Sequence, residues 1–376
     1  MTHALTLSTR EMMPQRVVCG VPFAQALAEQ MDAWSARRVV LATTRSLQGD
    51  GGLASQVERT LGDACRTVVG GLRAHAPRED VVRLVCALAD CEADAVVALG
   101  GGSVTSIVKI ARLALANGVQ SEDGLDRLLA RDGLAAPAPR CVMLPTTLSA
   151  GEYTDVAGMT DSRVRRKQAV QHDGLAPETV ILDPALLRDT PRALLLGTAI
   201  RALDHIVETW CSTGATALSD ATSLHALNLM LRGLQNDDVL TCQQGARLSI
   251  QGIAGGVPQG ASHGIGHALG GVAGVGHGDT SCIMLPHVLR FNLPVNAARQ
   301  RELAHRWPGS KGRALDDLVQ SLVADLGLPQ TLRQTGMDAD LMPHVARESM
   351  TSPWVKANPR RITDEAQILA MLRQAW

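Results

Sequence analysis

The chain predicts an α/β N-terminal domain built on a parallel sheet, followed by an all-α C-terminal domain. Three observations carry that reading. In the first half, short β-branched runs alternate with amphipathic helical stretches, the pattern of βαβ units with helices on both faces of a sheet. Beyond about residue 184 the strand signals stop and helical periods with long apolar faces take over. At 376 residues the chain is also long enough for two separate cores.

The elements follow in order. Arg37–Thr43 (RRVVLAT), Ala93–Leu99 (ADAVVAL) and Cys141–Pro145 (CVMLP) read as strands, and Thr179–Asp183 (TVILD) as the last extended segment. Gly52–Leu61 and Arg78–Asp90 read as amphipathic helices between them, and Val104–Asn117 as the helix after the second strand. Thr190-Pro191 forms a helix start, with Thr190 as N-cap and Pro191 in the first turn of a helix running through Thr209. The boundary therefore falls near 184–190, giving domains 1–187 and 188–376.

Composition narrows the function. Only eight residues are aromatic (five Trp, one Tyr, two Phe), so the cores must be built from Leu, Val, Ile and Ala. A net charge of −1 argues against a nucleic-acid partner. The eight cysteines are scattered and form no CxxC pair, as expected of reduced, mostly buried thiols. There is no signal-like N-terminus and no apolar run of membrane-spanning length. The expected location is the cytoplasm, with no membrane partner.

Two stretches carry chemistry. Gly100-Gly101-Gly102-Ser103 joins a strand to a helix. Such a turn offers free N–H groups and the positive end of a helix dipole to a phosphate. Ser103 adds a hydroxyl donor and Lys109, on the same helix, a positive charge. Thr146 and Thr147 bear hydroxyls at the end of the next strand. Together they point to a dinucleotide, although no GxGxxG is present. At the end of the first strand, where an acid would read a ribose, stand Thr43, Thr44, Arg45 and Ser46, which suit a 2′-phosphate. The second stretch, Gly260–Asn292, places His263, His267 and His277 among seven glycines between His263 and Gly278. Four residues apart on a helix, His263 and His267 share a face. His277 follows a glycine-rich break and is expected to fold back onto it. Clustered imidazoles suit metal ligation or proton transfer.

With those residues in view, the chain resembles the iron-containing (group III) alcohol dehydrogenases. The resemblance rests on Gly100–Ser103, Pro145–Thr147, Ala202–Glu208 (ALDHIVE), His263–His267 (HGIGH), His277-Gly278, Leu285-Pro286-His287 and Asn358-Pro359-Arg360, in order and spacing. Arg16–Gly20, Gly70–Pro77 (GGLRAHAP) and Thr146–Glu152 are similar to the maleylacetate reductase branch. The resemblance implies the fold shared with dehydroquinate synthase: a dinucleotide-binding N-terminal domain, a helical catalytic domain and a cleft between them. It implies NAD(H) or NADP(H) as cofactor, a small-molecule substrate and a homodimer. In metal-dependent members one Asp and three His hold Fe²⁺ or Zn²⁺. The His positions correspond to His205, His263 and His277, and His267 lies near nicotinamide and substrate.

The chain departs from the pattern at the metal. The ligand Asp, four residues before the first ligand His, is here Arg201, and a guanidinium repels a cation. Asp204, adjacent to His205, points about 100° away on a helix and is a poor substitute. Ser106 and Thr44 replace two further acids. The expected function is a metal-independent reductase of a carboxylated enone or keto acid. Arg201 and one or more protonated imidazoles would supply the charge, and His267 or His263 the proton. The alternative for Arg201 is a structural ion pair with Asp204, Glu208 or Asp183. Three competing readings remain: a metal-dependent dehydrogenase using three histidines, a lyase related to dehydroquinate synthase, and a non-catalytic nucleotide binder.

Overall fold

The computed structural model describes residues 15–163 and 166–376. They divide into two compact units, one ending at Pro191 and the other beginning at Arg192.

The first unit holds strands β1 (Arg16–Cys19), β2 (Val39–Thr43), β3 (Cys65–Val69), β4 (Ala95–Gly100), β5 (Arg140–Pro145), β6 (Val156–Asp161), β7 (Arg166–Gln171) and β8 (Thr179–Leu182). Its helices are α1 (Phe23–Trp34), α2 (Leu53–Leu61), α3 (Arg78–Asp90), α4 (Gly102–Ala116) and α5 (Glu122–Leu129). Six strands form one parallel sheet in the order β1-β8-β5-β4-β2-β3. β2, β4 and β8 are buried along their whole length, as parallel strands covered on both faces must be. β4 runs in register with both neighbours, Thr43 opposite Leu99 and Leu99 opposite Leu144. The chain leaves β2 toward β3 on one side and leaves β4 toward β5 on the other. The carboxyl ends of β2 and β4 therefore flank a topological switch point, where open α/β sheets bind ligands.

Three features escaped the sequence reading. β1 and β3 are short edge strands with only partial burial. β6 and β7 form an antiparallel hairpin outside the main sheet. Its inward positions include Asp161, 3.3 Å from the fully buried Arg78 and 2.8 Å from Arg163. A buried ion pair in a strand erases the apolar alternation that would reveal it.

The second unit is helical: α6 (Arg192–Cys211), α7 (Ala217–Asn236), α8 (Val239–Ser249), α9 (Gln251–Ala254), α10 (Ala261–Ala273), α11 (His277–Arg306), α12 (Leu315–Asp325), α13 (Met342–Ser349), α14 (Pro353–Lys356) and α15 (Glu365–Gln374). α6 is buried from Leu196 through Cys211 and packs on α7, α8 and α11. Its contact with α11 is made backbone to backbone. A Cβ on Gly278 would lie 2.6 Å from the carbonyl carbon of Gly197, so the glycine after His277 lets α11 start against α6. α11 carries Pro286 and Pro294 and kinks at Asn296. Thr190 does not cap α6 as expected; its hydroxyl donates to the carbonyl of Thr146 at 2.8 Å, an acceptor fixed by tertiary structure. No described helix is long and apolar enough to cross a membrane.

Candidate active site

In the sheet unit, α4 starts with Gly101 as N-cap and no side chain caps it. Its first N–H groups are thereby left for an anion. The glycines are there for contact. A Cβ on Gly101 would stand 2.8 Å from Thr147 Cγ2, and one on Gly102 3.1 Å from Ser149 Oγ. The turn Gly100–Ser103 and the loop after β5 consequently lie against each other, and the Thr146 N–H donates to the Gly100 carbonyl at 3.1 Å. Ser103 Oγ accepts from the N–H of His75 at 3.0 Å, which leaves its own O–H to donate elsewhere. Thr44 is half-buried beyond β2, its Oγ1 3.0 Å from Ser46 Oγ, and Arg45 is exposed.

Lys109 does not have the role expected of it. Its ammonium is buried and donates to the carbonyls of Gly151 and Thr154, both at 2.6 Å, and of Val156 at 3.3 Å. It ties the loop that follows Thr146 and Thr147 to α4 instead of meeting a phosphate. Burial pulls its pKa down to about 7, against the opposing pull of Glu152 and Asp155.

In the helical unit, α6, α10, the start of α11 and α14 gather the histidines. His205 and His263 have ring centroids 5.0 Å apart, and His267 and His277 5.4 Å. Trp354 meets His267 edge to face at 4.3 Å and His263 at 6.4 Å. α14 is held on α10 because a Cβ on Gly264 would come within 2.5 Å of Val355. Arg201 is 8% exposed. Its Nη1 donates to Ser281 Oγ at 3.1 Å and lies 3.8 Å from Asp204. The partner is thus Asp204; Asp183 instead accepts the N–H groups of Phe23 and Ala185.

Two carboxylates organise this cluster. Asp204 Oδ2 accepts from Ser262 and Ser281 at 2.8 and 2.7 Å. Glu208 Oε2 accepts the N–H of Gly260 (2.9 Å) and of His263 (3.3 Å), and Oε1 that of Ser262 (2.8 Å). Asn358 Oδ1 takes the N–H of Ala261 at 3.1 Å. All four N–H groups at the start of α10 are thereby satisfied from other elements. Glu208 Oε2 also lies 2.8 Å from His263 Nδ1.

Burial sets the charges. Desolvation first, then the neighbouring His263 and Arg201, pushes His205 well below the usual imidazole pKa. Desolvation and then Arg201, opposed by Asp204, push His263 down to about 3. Both shifts favour the neutral ring, against the expectation of protonated imidazoles at these two positions, and Arg201 supplies a fixed positive charge beside them. Desolvation raises Asp204 and Glu208; for Glu208 the three backbone donors pull the other way.

The donor set does not fit a divalent cation. Among the described residues the set of His, Cys, Asp or Glu donor atoms within 4.8 Å of one another is Asp204, Glu208 and His263, without His205 or His277. Both Glu208 oxygens and one Asp204 oxygen are already spent on protein donors. The guanidinium of Arg201 stands beside them, and a fixed cation opposes another.

Family models for "iron-containing alcohol dehydrogenase" and for the C-terminal domain of the "Fe-containing alcohol dehydrogenase family" match residues 14–184 and 196–376. The dehydrogenase ALT3 of Alternaria alternata is 34% identical over 81% of this chain and 90% of its own length. This chain belongs to the iron-containing alcohol dehydrogenase family. Maleylacetate reductase 1 of Rhodococcus opacus is 30% identical over 96% of this chain and 94% of its own. The crystal structure of a candidate alcohol dehydrogenase from Ralstonia eutropha JMP134 matches with a TM-score of 0.82, 26% identity and 97% of both chains covered. The protein is an NAD(P)-dependent oxidoreductase near the maleylacetate reductase branch of the iron-containing alcohol dehydrogenases.

The sequence reading underrated three residues of this site. Sequence alone gives Glu208 as an ion-pair partner, Asp204 as an ion-pair partner and a poor ligand, and Trp354 no role. The four-residue spacing of Asp204 and Glu208 was visible signal: two acids on one face of an apolar helix need buried partners.

Proposed function

We propose that this family member is a metal-independent reductase of the maleylacetate reductase type, taking a carboxylated enone or keto acid. The observation that carries the proposal is Arg201. A buried guanidinium has replaced the ligand carboxylate, and among the described residues only Ser281 accepts a hydrogen bond from it. Its remaining N–H groups suit a carboxylate or a developing oxyanion. Glu208 does not cancel this charge, because three backbone N–H groups at the start of α10 and the dipole of that helix already compensate its carboxylate.

When bound, the nicotinamide supplies the hydride. Gly100, Gly101, Gly102 and Ser103 hold its phosphates, with Thr146, Thr147 and Thr44 lining the same end of the sheet. Thr44, Arg45 and Ser46 leave room for a 2′-phosphate, so NADPH is accepted. As hydride reaches the substrate carbon, the displaced electron pair moves to oxygen. Arg201 stabilises that charge by hydrogen bonding, and an imidazole of the His263, His267 pair returns the proton. His205 and His277 complete the polar wall. The test is steady-state reduction of a carboxylated enone and of an uncharged aldehyde of similar length, after exhaustive chelation. Activity should survive chelation, with kcat/KM for the carboxylate at least about tenfold higher, ~1.4 kcal/mol in transition-state terms. Activity abolished by chelator and restored by metal would instead support the three-histidine metal enzyme.

A further inference from the structure

His263 has two ring nitrogens, and the structure treats them differently. Nδ1 lies 2.8 Å from Glu208 Oε2. That oxygen already accepts two backbone N–H groups, from Gly260 and His263. The three backbone donors favour the ionised carboxylate, whose oxygens only accept, so the nitrogen 2.8 Å away is the donor and the ring proton resides on Nδ1. Nε2 is buried and has no hydrogen-bond partner among the described residues. The neutral ring therefore presents a bare lone pair from Nε2.

We infer that Glu208 is a positioning residue that locks His263 in the Nδ1–H tautomer, so that Nε2 acts only as an acceptor and proton delivery falls to His267. Free imidazole has no such restriction. Here three elements enforce it. α6 supplies Glu208. The start of α10 supplies the backbone donors that hold the carboxylate in place. Asn358, after α14, takes the N–H of Ala261 and is itself fixed by Asn292, which accepts from its Nδ2 at 2.7 Å. The carboxylate cannot turn away from Nδ1 without stripping the first turn of α10 of its caps. The arrangement has a chemical result. In the direction of reduction, Nε2 of His263 receives a hydrogen bond from a substrate hydroxyl or water and orients it. His267, one turn further along α10, gives the proton to the oxygen or carbon that received the electron pair, and regains it from solvent. Oxidant and reductant remain the nicotinamide and the substrate.

The reaction half of this inference rests on the proposed function; the tautomer half does not. The full-length protein labelled with ¹⁵N-histidine reports the tautomer directly, because protonated and unprotonated ring nitrogens resonate far apart. Spectra of His263→Gln identify the His263 signals. The expected result is a protonated Nδ1 and an unprotonated Nε2 at neutral pH, with no substrate present. Glu208→Gln should admit the Nε2–H form and lower kcat about ten- to a hundredfold, as loss of a carboxylate behind a working imidazole does, with KM for the cofactor unchanged. His263→Asn keeps a donor toward Glu208 and loses Nε2. It should retain the wild-type melting temperature while losing turnover. An Nε2–H ring in the wild-type protein overturns the inference, as does a folded Glu208→Gln enzyme with wild-type kcat. Should Glu208→Gln fail to fold, the wild-type spectrum alone decides the tautomer. A wild-type Nδ1–H signal in a protein inactive on carboxylated substrates would uphold the lock and reject the substrate reading.

Discussion

Exchanging Arg201 for Asp reverses a fixed positive charge in the histidine cluster, and its cost follows from the geometry. Arg201 Nη1 and Asp204 Oδ2 are 3.8 Å apart and both residues are buried. Opposite unit charges at about 4 Å attract by about 4 kcal/mol at an effective dielectric of about 20. Breaking a buried pair by removing one partner costs about 3–5 kcal/mol, and the new carboxylate adds repulsion with Asp204 and Glu208. For a domain of this size each kcal/mol moves Tm by roughly 2–4 °C, so the metal-free variant should melt roughly 6–20 °C below the wild type. The variant also acquires a metal-binding carboxylate one turn before His205. Zn²⁺ at a hundred times its dissociation constant should then restore about 2.7 kcal/mol. Differential scanning of both proteins in chelator and in graded Zn²⁺ or Fe²⁺ is the assay, with turnover of a carboxylated substrate measured in parallel. The wild type should be indifferent to metal; the variant should be destabilised without it, recover with it and turn over the carboxylate poorly. A wild type that gains several degrees on Zn²⁺, or a variant that neither loses stability nor binds metal, would refute this account of Arg201.

Other outcomes follow from the same structure. Steady-state kinetics should show relaxed cofactor use or a lean to NADPH, because no acid stands at Thr43–Ser46; an NADH kcat/KM more than about a hundredfold higher, roughly 2.7 kcal/mol, is incompatible with that reading. Gly101→Ala drives a methyl to 2.8 Å from Thr147, an overpacking cost of about 1–3 kcal/mol that should appear as a raised cofactor KM; an unchanged KM would place the dinucleotide elsewhere. Trp354→Ala should shift relative kcat/KM toward bulkier substrates by removing the ring beside His267, whereas an unaltered ranking across a size series would deny Trp354 any part in selection. Acid should destabilise the fold. His205, His263 and His287 have folded pKa values below the unfolded 6.5, with desolvation the first cause in each. The unfolded chain thus takes up protons that the folded one refuses, at about 1.4 kcal/mol per proton and pH unit. Their contribution is intact above pH 6.5 and is lost as pH falls, while Asp204 and Glu208, shifted upward, oppose the trend. Denaturant titrations at pH 7.5 and 5.5 that gave equal stability would contradict neutral imidazoles.

What the sequence disclosed and what it concealed divide along physical lines. β2, β4 and β5 were legible because strands buried on both faces need unbroken apolar runs, and these had them. The edge strands β1 and β3 lacked the burial that writes such a run, and the β6–β7 hairpin spends an inward position on Asp161. In the site, periodicity placed His263 and His267 on one face of α10, and the glycine break before His277 does return that ring to His267. Angle alone misjudged Asp204. A residue 100° around a helix from His205 still faces the cluster when α10 and α11 wrap that helix, as its contacts with Ser262 and Ser281 show. Lys109 shows the limit of reading charge from position: its helix is correct, but a buried ammonium answers to the nearest carbonyls, and those belong to a loop whose course no local pattern reveals.

The pairing of β1 with β8 bears on how the polypeptide is made. Arg16 lies opposite Thr179 and Cys19 opposite Leu182. The ribosome therefore releases the first strand of the sheet long before the strand that will hold it. At about 5–20 residues per second, those hundred and sixty-odd residues correspond to a wait of roughly 8–30 s. During that interval β2, β3 and β4 can associate, while Arg16–Cys19 stays an unpaired β-forming segment open to other nascent chains or to chaperones. A circular permutant that begins after β1 and joins the native ends to each other would make β8 before β1, leaving the register intact and changing only this order of appearance. It would separate the yield lost to waiting from the stability of the finished sheet.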